Sequence, residues 1–281
     1  HATDYVRLGA ILPLLLADLL AATHDLTGSD RERAFGLLAE TYDASRVLAL
    51  RLGYSDLSSL ATDRYEWAAA QSGDELAMLV SDYQRASELL CLADYTTAST
   101  LLERSRSHIE DRIGRADAPT LSMWGNLHLK SALVAARATN LVHADEHLNE
   151  ARETAERIGA DRDDYRLCFG PTNVRIWSVA LAVEAGNGPE AVKRSQGFVP
   201  PPTVQRGRAG HHWIDLSRAY LLSGDREASL ASLMTARQIT PHQTRFHRSA
   251  AETVLSLARA ERRRSDTLRS FASWMGLNAL A

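Results

Sequence analysis

Apolar residues recur at intervals of three and four along almost the whole 281-residue chain, and no stretch alternates as a half-buried strand must. That pattern predicts an all-α fold. Helices are expected over roughly 5–22, 30–52, 56–71, 74–92, 95–114, 118–138, 141–158, 171–185, 188–196, 204–223, 226–239, 243–262 and 265–277. Caps and breakers punctuate them: TGSD, SGD, RADAP, FGPT, GNGPE, VPPPT and TPHQ. The irregular links GADRDDYRLCFG and FVPPPTVQRG are too short and too apolar to separate domains. The chain therefore reads as one continuous helical array over residues 1–281.

Helices joined by short turns invite a search for repeats. In WIDLSRAYLLSGDREASLASLMTARQITP, Leu216, Tyr220, Gly224, Leu233, Ala236 and Pro241 stand at tetratricopeptide spacing, with Ser229 at the small position where two helices cross. ADYTTASTLLERS fits the same frame through Tyr95, Ala98, Leu102 and Ser105. NLVHADEHLNEA fits it through Leu141, Ala144, Leu148 and Ala151, and GNGPEA through Gly186 and Ala191. The crossing residues Ala98, Ala144, Ala191 and Ser229 are 46, 47 and 38 residues apart. A standard repeat takes about 34, so the array is degenerate. The expected architecture is a tetratricopeptide-like helical-hairpin solenoid, in which each hairpin buries its apolar face on the next. LRSFASWMGLNAL, amphipathic through Leu268, Phe271, Trp274 and Met275, suits a terminal cap or an oligomer contact.

A net charge of −3 exerts no general pull on nucleic acid. Arg259 and the run Arg262–Arg264 read as a solvated helix end. Cys91 and Cys168 have no partner spacing, which favours a reducing, cytoplasmic setting. The apolar run LGAILPLLLADLLAA is interrupted by Pro13 and Asp18 and reads as too short for a membrane span. The chain opens HATDYV without an initiating Met, as an excised fragment or processed product would, with His1 a possible tag remnant.

HADEH, His143 to His147, spells the H-x-x-E-H pattern of a class of zinc peptidases. Ala144 and Leu148 fix the buried face of that helix, which leaves His143, Glu146 and His147 on the solvent side. No metal site is expected. Cys168 has no base beside it in sequence, and neither a phosphate loop nor G-x-S-x-G occurs, so no catalytic residue is nominated and no cofactor is called for.

CFGPTNVRIW is more informative. Pro171 after Gly170 marks a helix start whose free amides can receive an anion or a carbonyl oxygen. Phe169 precedes that start, and Asn173, Arg175 and Trp177 project from the helix's first turns. In stacked hairpins the first helix of each pair lines the binding surface. Trp124, Asn126 and His128 in LSMWGNLHLK, with Trp124 and His128 on one face, and His212 and Asp215 in GHHWIDLSRAY complete the ligand-binding candidates.

FGPTNVRIW, followed by AVEAGNGPEA and DLSRAYLLSGDREASLASLMTARQITP, resembles the C-terminal helical-repeat region of actinobacterial helix-turn-helix regulators of the XRE type. LPLLLADLLAA, LLAETYDASRVLALRLGYSDLSSLATDRYEWAAAQSGD and LRSFASWMGL extend the resemblance over nearly the whole chain. It implies a sensory or dimerising module, a homodimer. Such a module reaches DNA only through an upstream domain that this chain lacks. Relatives with such repeats hold short peptides or small molecules in the groove, often through Asn side chains, and this nominates Asn126 and Asn173. The expected function is therefore ligand sensing and dimerisation for a bacterial transcriptional regulator, with a small-molecule or peptide effector and no membrane partner. The alternative is a protein-interaction scaffold without a small ligand; an enzyme is not expected.

Overall fold

The computed structural model describes residues 4–260 and 265–277. The helices, in chain order, are α1 (Tyr5–Asp25), α2 (Gly28–Arg51), α3 (Ser55–Ser72), α4 (Glu75–Cys91), α5 (Tyr95–Ile109), α6 (Ala118–Arg137) and α7 (Leu141–Ile158). After them come α8 (Pro171–Glu184), α9 (Gly188–Ser195), α10 (Arg206–Leu222), α11 (Arg226–Ile239), α12 (Pro241–Arg245), α13 (Arg248–Ala260) and α14 (Asp266–Trp274). No strand occurs among the described residues beyond an isolated antiparallel bridge between Arg162 and Phe169. The fold is all-α.

Short polar side chains start these helices. Asp74 accepts from the amides of Leu76 and Ala77, and Asp94, Asp117, Asn140, Asn187, Asp225 and Ser265 each accept from an amide in the first turn they precede. Each such bond satisfies one of the amides a helix start leaves unpaired. Gly73 and Gly159 close α3 and α7 in the left-handed conformation, which costs glycine little. Three boundaries differ from the periodicity. The segment expected as helix to residue 114 tightens into a 3₁₀ turn over Glu110–Arg115. Pro241 opens the extra short helix α12 before α13 begins. α1 continues through Pro13 and Asp18 to Asp25, so the apolar run is long and apolar enough to cross a membrane by length and composition, with only a small part of it buried.

The described chain divides into two compact units, an N-terminal one from Asp4 to Pro171 and a C-terminal one from Thr172 on. In the first, α2 packs on α3, α4 on α5 and α6 on α7 as hairpins. Phe35, Leu38, Tyr65, Leu79, Leu102, Ile109 and Leu127 form its core. In the second, α10 pairs with α11. Ile214, Leu233, Leu257 and Phe271 build one cluster and Val179, Val183, Leu216 and Ala219 another. The four crossing residues Ala98, Ala144, Ala191 and Ser229 are all buried. At the last of them the Ser229 hydroxyl donates to the Ser217 carbonyl of α10 at 2.8 Å. Leu141 is a correction. It is 48% exposed because it is the first residue of α7 and overhangs the hairpin. Leu268 and Phe271 of α14 are buried against the C-terminal core, with Trp274 and Met275 packed beside them. The run Arg262–Arg264 lies outside the described residues.

Candidate functional site

The eight candidates fall four in each unit. In the N-terminal unit they cluster on α6, whose residues are buried without a break from Leu121 to Ala132. Trp124 and His128, one turn apart, meet with ring centroids 4.5 Å apart. The indole Nε1 donates to Glu150 of α7 at 3.2 Å. His128 Nδ1 lies 3.0 Å from Nδ1 of His147, so one ring donates and the other accepts. Arg106 of α5 reaches the same stretch of α6, its guanidinium bonded to the Ser131 hydroxyl. Burial, and then the positive charge of Arg106, push His128 down to about 3 and His147 to about 4. Both rings are therefore neutral at pH 7, and His128 Nε2 is buried without a hydrogen-bond partner.

His147 was expected on the solvent side and is half-buried against α6 instead. It stands three residues after Ala144 and four before Ala151, at the edge of the stripe those residues bury, and that spacing is the signal that could have placed it. His143 is exposed and pairs with Glu146 at 2.6 Å. The two histidines of HADEH thus face different partners. Among the described residues no three His, Cys, Asp or Glu side chains gather as metal ligands would.

Asn126 turns inward, its amide donating to the Ser122 carbonyl at 3.1 Å, while its Oδ1 finds no partner. Phe169 is fully buried, with its ring seated on Gly125 of α6. The link that delivers it is held by the Arg162–Phe169 bridge and by Tyr165, whose hydroxyl donates to the capping carboxylate of Asp74 at 2.8 Å. Tyr165, Arg166 and Cys168 adopt left-handed backbone, with φ of 52°, 60° and 51°. L-residues take that conformation only where the surroundings enforce it. Phe169 is thus a packing residue, and nothing in CFGPTN distinguishes a plug from a ligand contact without the glycine it meets. The surface depression lined by Asp111, Arg112, Arg115, Asp117 and Thr120 includes none of the eight candidates.

In the C-terminal unit, α8 and α10 bring the other four together. Asn173 Oδ1 accepts from Arg208 Nε at 2.8 Å, and the same guanidinium lies 5.5 Å from the Trp177 ring centre. One turn further along α10, His212 is completely buried, edge-on to Phe198 at 5.2 Å and to Trp213 at 5.6 Å. Neither of its ring nitrogens has a hydrogen-bond partner. Burial pushes it down to about 4. Asp215 responds in the opposite sense: burial pushes its carboxyl up to about 6, against the pull of Arg218. Arg218 itself donates to Glu184 at 2.6 Å and reaches Asp215 at 3.4 Å. Asp215 Oδ2 makes no hydrogen bond, with His211 Nε2 at 3.5 Å. Phe198, half-buried over His212, carries the Arg175 guanidinium on its ring at 4.6 Å. Arg175 was read with Asn173 and Trp177 on the first turns of α8, while Arg208 and Phe198 were not among the sequence candidates. The Pro-rich link that holds Phe198 shows no periodicity to reveal it.

The chain matches no family model and no curated protein. Among solved structures it is similar to BtubC (BKLC) from P. vanneervenii, at 15% identity over 93% of this chain and 96% of that one, with a TM-score of 0.50. At that identity the likeness concerns the fold alone. It agrees with the all-α, hairpin-built, solenoid-like class expected from the periodicity.

Proposed function

We propose that this chain is the ligand-sensing module of a bacterial transcriptional regulator, and that its effector is bound in the C-terminal unit between α8 and α10. The sequence resemblance supplies the regulator. One observation carries the site: a fully buried His212 with both ring nitrogens unpartnered, beside a carboxylate oxygen that also makes no hydrogen bond.

Each such buried group costs roughly 1–3 kcal/mol while it stays unpaired. A neutral imidazole presents one donor and one acceptor. A small molecule or peptide carrying the complementary pair, such as an amide, recovers that cost on binding, so the packing around His212 favours a ligand of that kind. Asn173 and Arg208 add an amide and a guanidinium at one end, and Trp177 and Phe198 supply apolar faces. Entry requires Phe198 and its Pro-rich link, Gln196 to Gln205, to shift, because His212 is closed from solvent. A shift of that link is the local event that ligand binding would trade for bonds to His212.

The test is a thermal-shift screen of amide-bearing small molecules and short peptides against this chain and its His212→Phe variant. The expected result is a melting-temperature rise with a hit that His212→Phe abolishes. The variant's own melting temperature should be equal or higher, since it removes unpaired polar atoms from an apolar setting. A hit that shifts both proteins equally would move the site elsewhere. Peptides that bind along an open face whatever residue occupies position 212 would favour the scaffold reading.

A further inference from the structure

α1 buries one side against α2 and leaves the other bare. Tyr5, Leu12 and Thr23 are buried, while Ile11 and Leu14 are 47% and 72% exposed. The exposed side has an order of its own. Arg7, Ile11, Leu14 and Asp18 follow at spacings of four, three and four, which puts them on one stripe of the helix. The stripe begins with a positive charge, carries two bulky apolar residues, and ends with a negative charge.

Such a stripe is complementary to itself when reversed. A two-fold axis between Leu12 and Pro13 sets Ile11 against Leu14 of a second copy and Arg7 against its Asp18, with the same contacts repeated at the other end. Closed dimers use this kind of isologous pairing. Arg7 also sits in the first turn of α1, where the amide dipoles disfavour a cation. Its position is unfavourable within its own helix and favourable opposite a carboxylate on another chain.

We infer that the exposed face of α1 is a self-association surface, and that two copies of this chain pair through it in antiparallel register. A lipid bilayer suits the face less well. The charges of Arg7 and Asp18 close both ends of the stripe within the helix, which leaves Ile11 and Leu14 as the only apolar residues between them on that line, and α2 occupies the opposite side of the helix. The 21 residues of α1 span roughly 31 Å at 1.5 Å per residue. A single pair of helices of that length makes a small contact of the transient kind, so dissociation is expected at micromolar concentration, roughly 1–100 μM. The inference is independent of the proposed effector site, because α1 carries none of its residues.

Sedimentation velocity of this chain from about 1 to 200 μM tests it, with circular dichroism to confirm that each variant keeps its helicity. A monomer–dimer equilibrium is expected. Leu14→Asp, at an exposed position, should weaken it at least ten-fold, as should Arg7→Asp alone and Asp18→Arg alone. The double exchange, Arg7→Asp with Asp18→Arg, should return it to within about three-fold of the original, because both contacts are then restored with their signs reversed. A monomer at the highest concentration overturns the inference. So does a double exchange no better than either single change. Flotation of the chain with phosphatidylcholine vesicles, abolished by Leu14→Asp, would make the face a membrane surface instead.

Discussion

His128 and His147 hold their Nδ1 atoms 3.0 Å apart in a buried setting, which fixes how they respond to acid. An unfolded histidine titrates near 6.5. Burial holds the folded rings lower, at about 3 and about 4. The unfolded chain therefore takes up protons first. The stability that depends on these rings is complete above pH 6.5 and is lost as the pH falls toward 4. At pH 5 the more deeply buried ring, His128, costs about 2 kcal/mol relative to pH 7. His128→Leu should reduce the difference in urea-unfolding free energy between pH 7 and pH 5 by about that amount. An undiminished difference would mean that the pair titrates as solvated histidines do. The shared face of Trp124 and His128 was legible in the sequence, since four residues is about one helical turn. The inward turn of His147 was not, because HADEH contains four polar residues around a single alanine, and only the α6 surface opposite decides which of them it covers.

At the scale of elements, most of the fold could be read directly from punctuation. Asp94, Asp117, Asn140 and Asp225 begin helices where their side chains predict, and the small residues Ala98, Ala191 and Ser229 mark the crossings. The Gly170–Pro171 start of α8 was legible for the same reason. What escaped was contact between elements distant in sequence. Phe169 plugs α6 only because Gly125 offers no side chain there, and the two are 44 residues apart. A methyl group at Gly125 would fall within the Phe169 ring. Gly125→Ala should therefore cost about 2–3 kcal/mol by overpacking. Phe169→Leu in the same chain should recover part of that loss, so a double-mutant cycle by chemical denaturation should show strong coupling between the two positions. Additive effects would show that the ring has room to move aside.

For the whole molecule, the two units each hold a core of their own, one built around Leu38, Leu102 and Leu127 and the other around Ile214, Leu233 and Phe271. A chain limited to residues 4–171 should keep its helicity and unfold in one cooperative transition, as a domain with its own core does. Far-ultraviolet circular dichroism with heating checks this, and a broad, non-cooperative melt would show that this core needs the rest of the chain. Periodicity carries no mark of the division. Pro171 begins a helix as other residues do, and the boundary falls between it and Thr172. The division also has a consequence in time. A ribosome adds roughly 5–20 residues per second, so the segment up to Pro171 is finished several seconds before the last helix exists. Its buried imidazoles and its phenylalanine plug can be in place while α10 and α11 are still being translated, which keeps the two sets of leucine-rich hairpins from competing for each other as they fold.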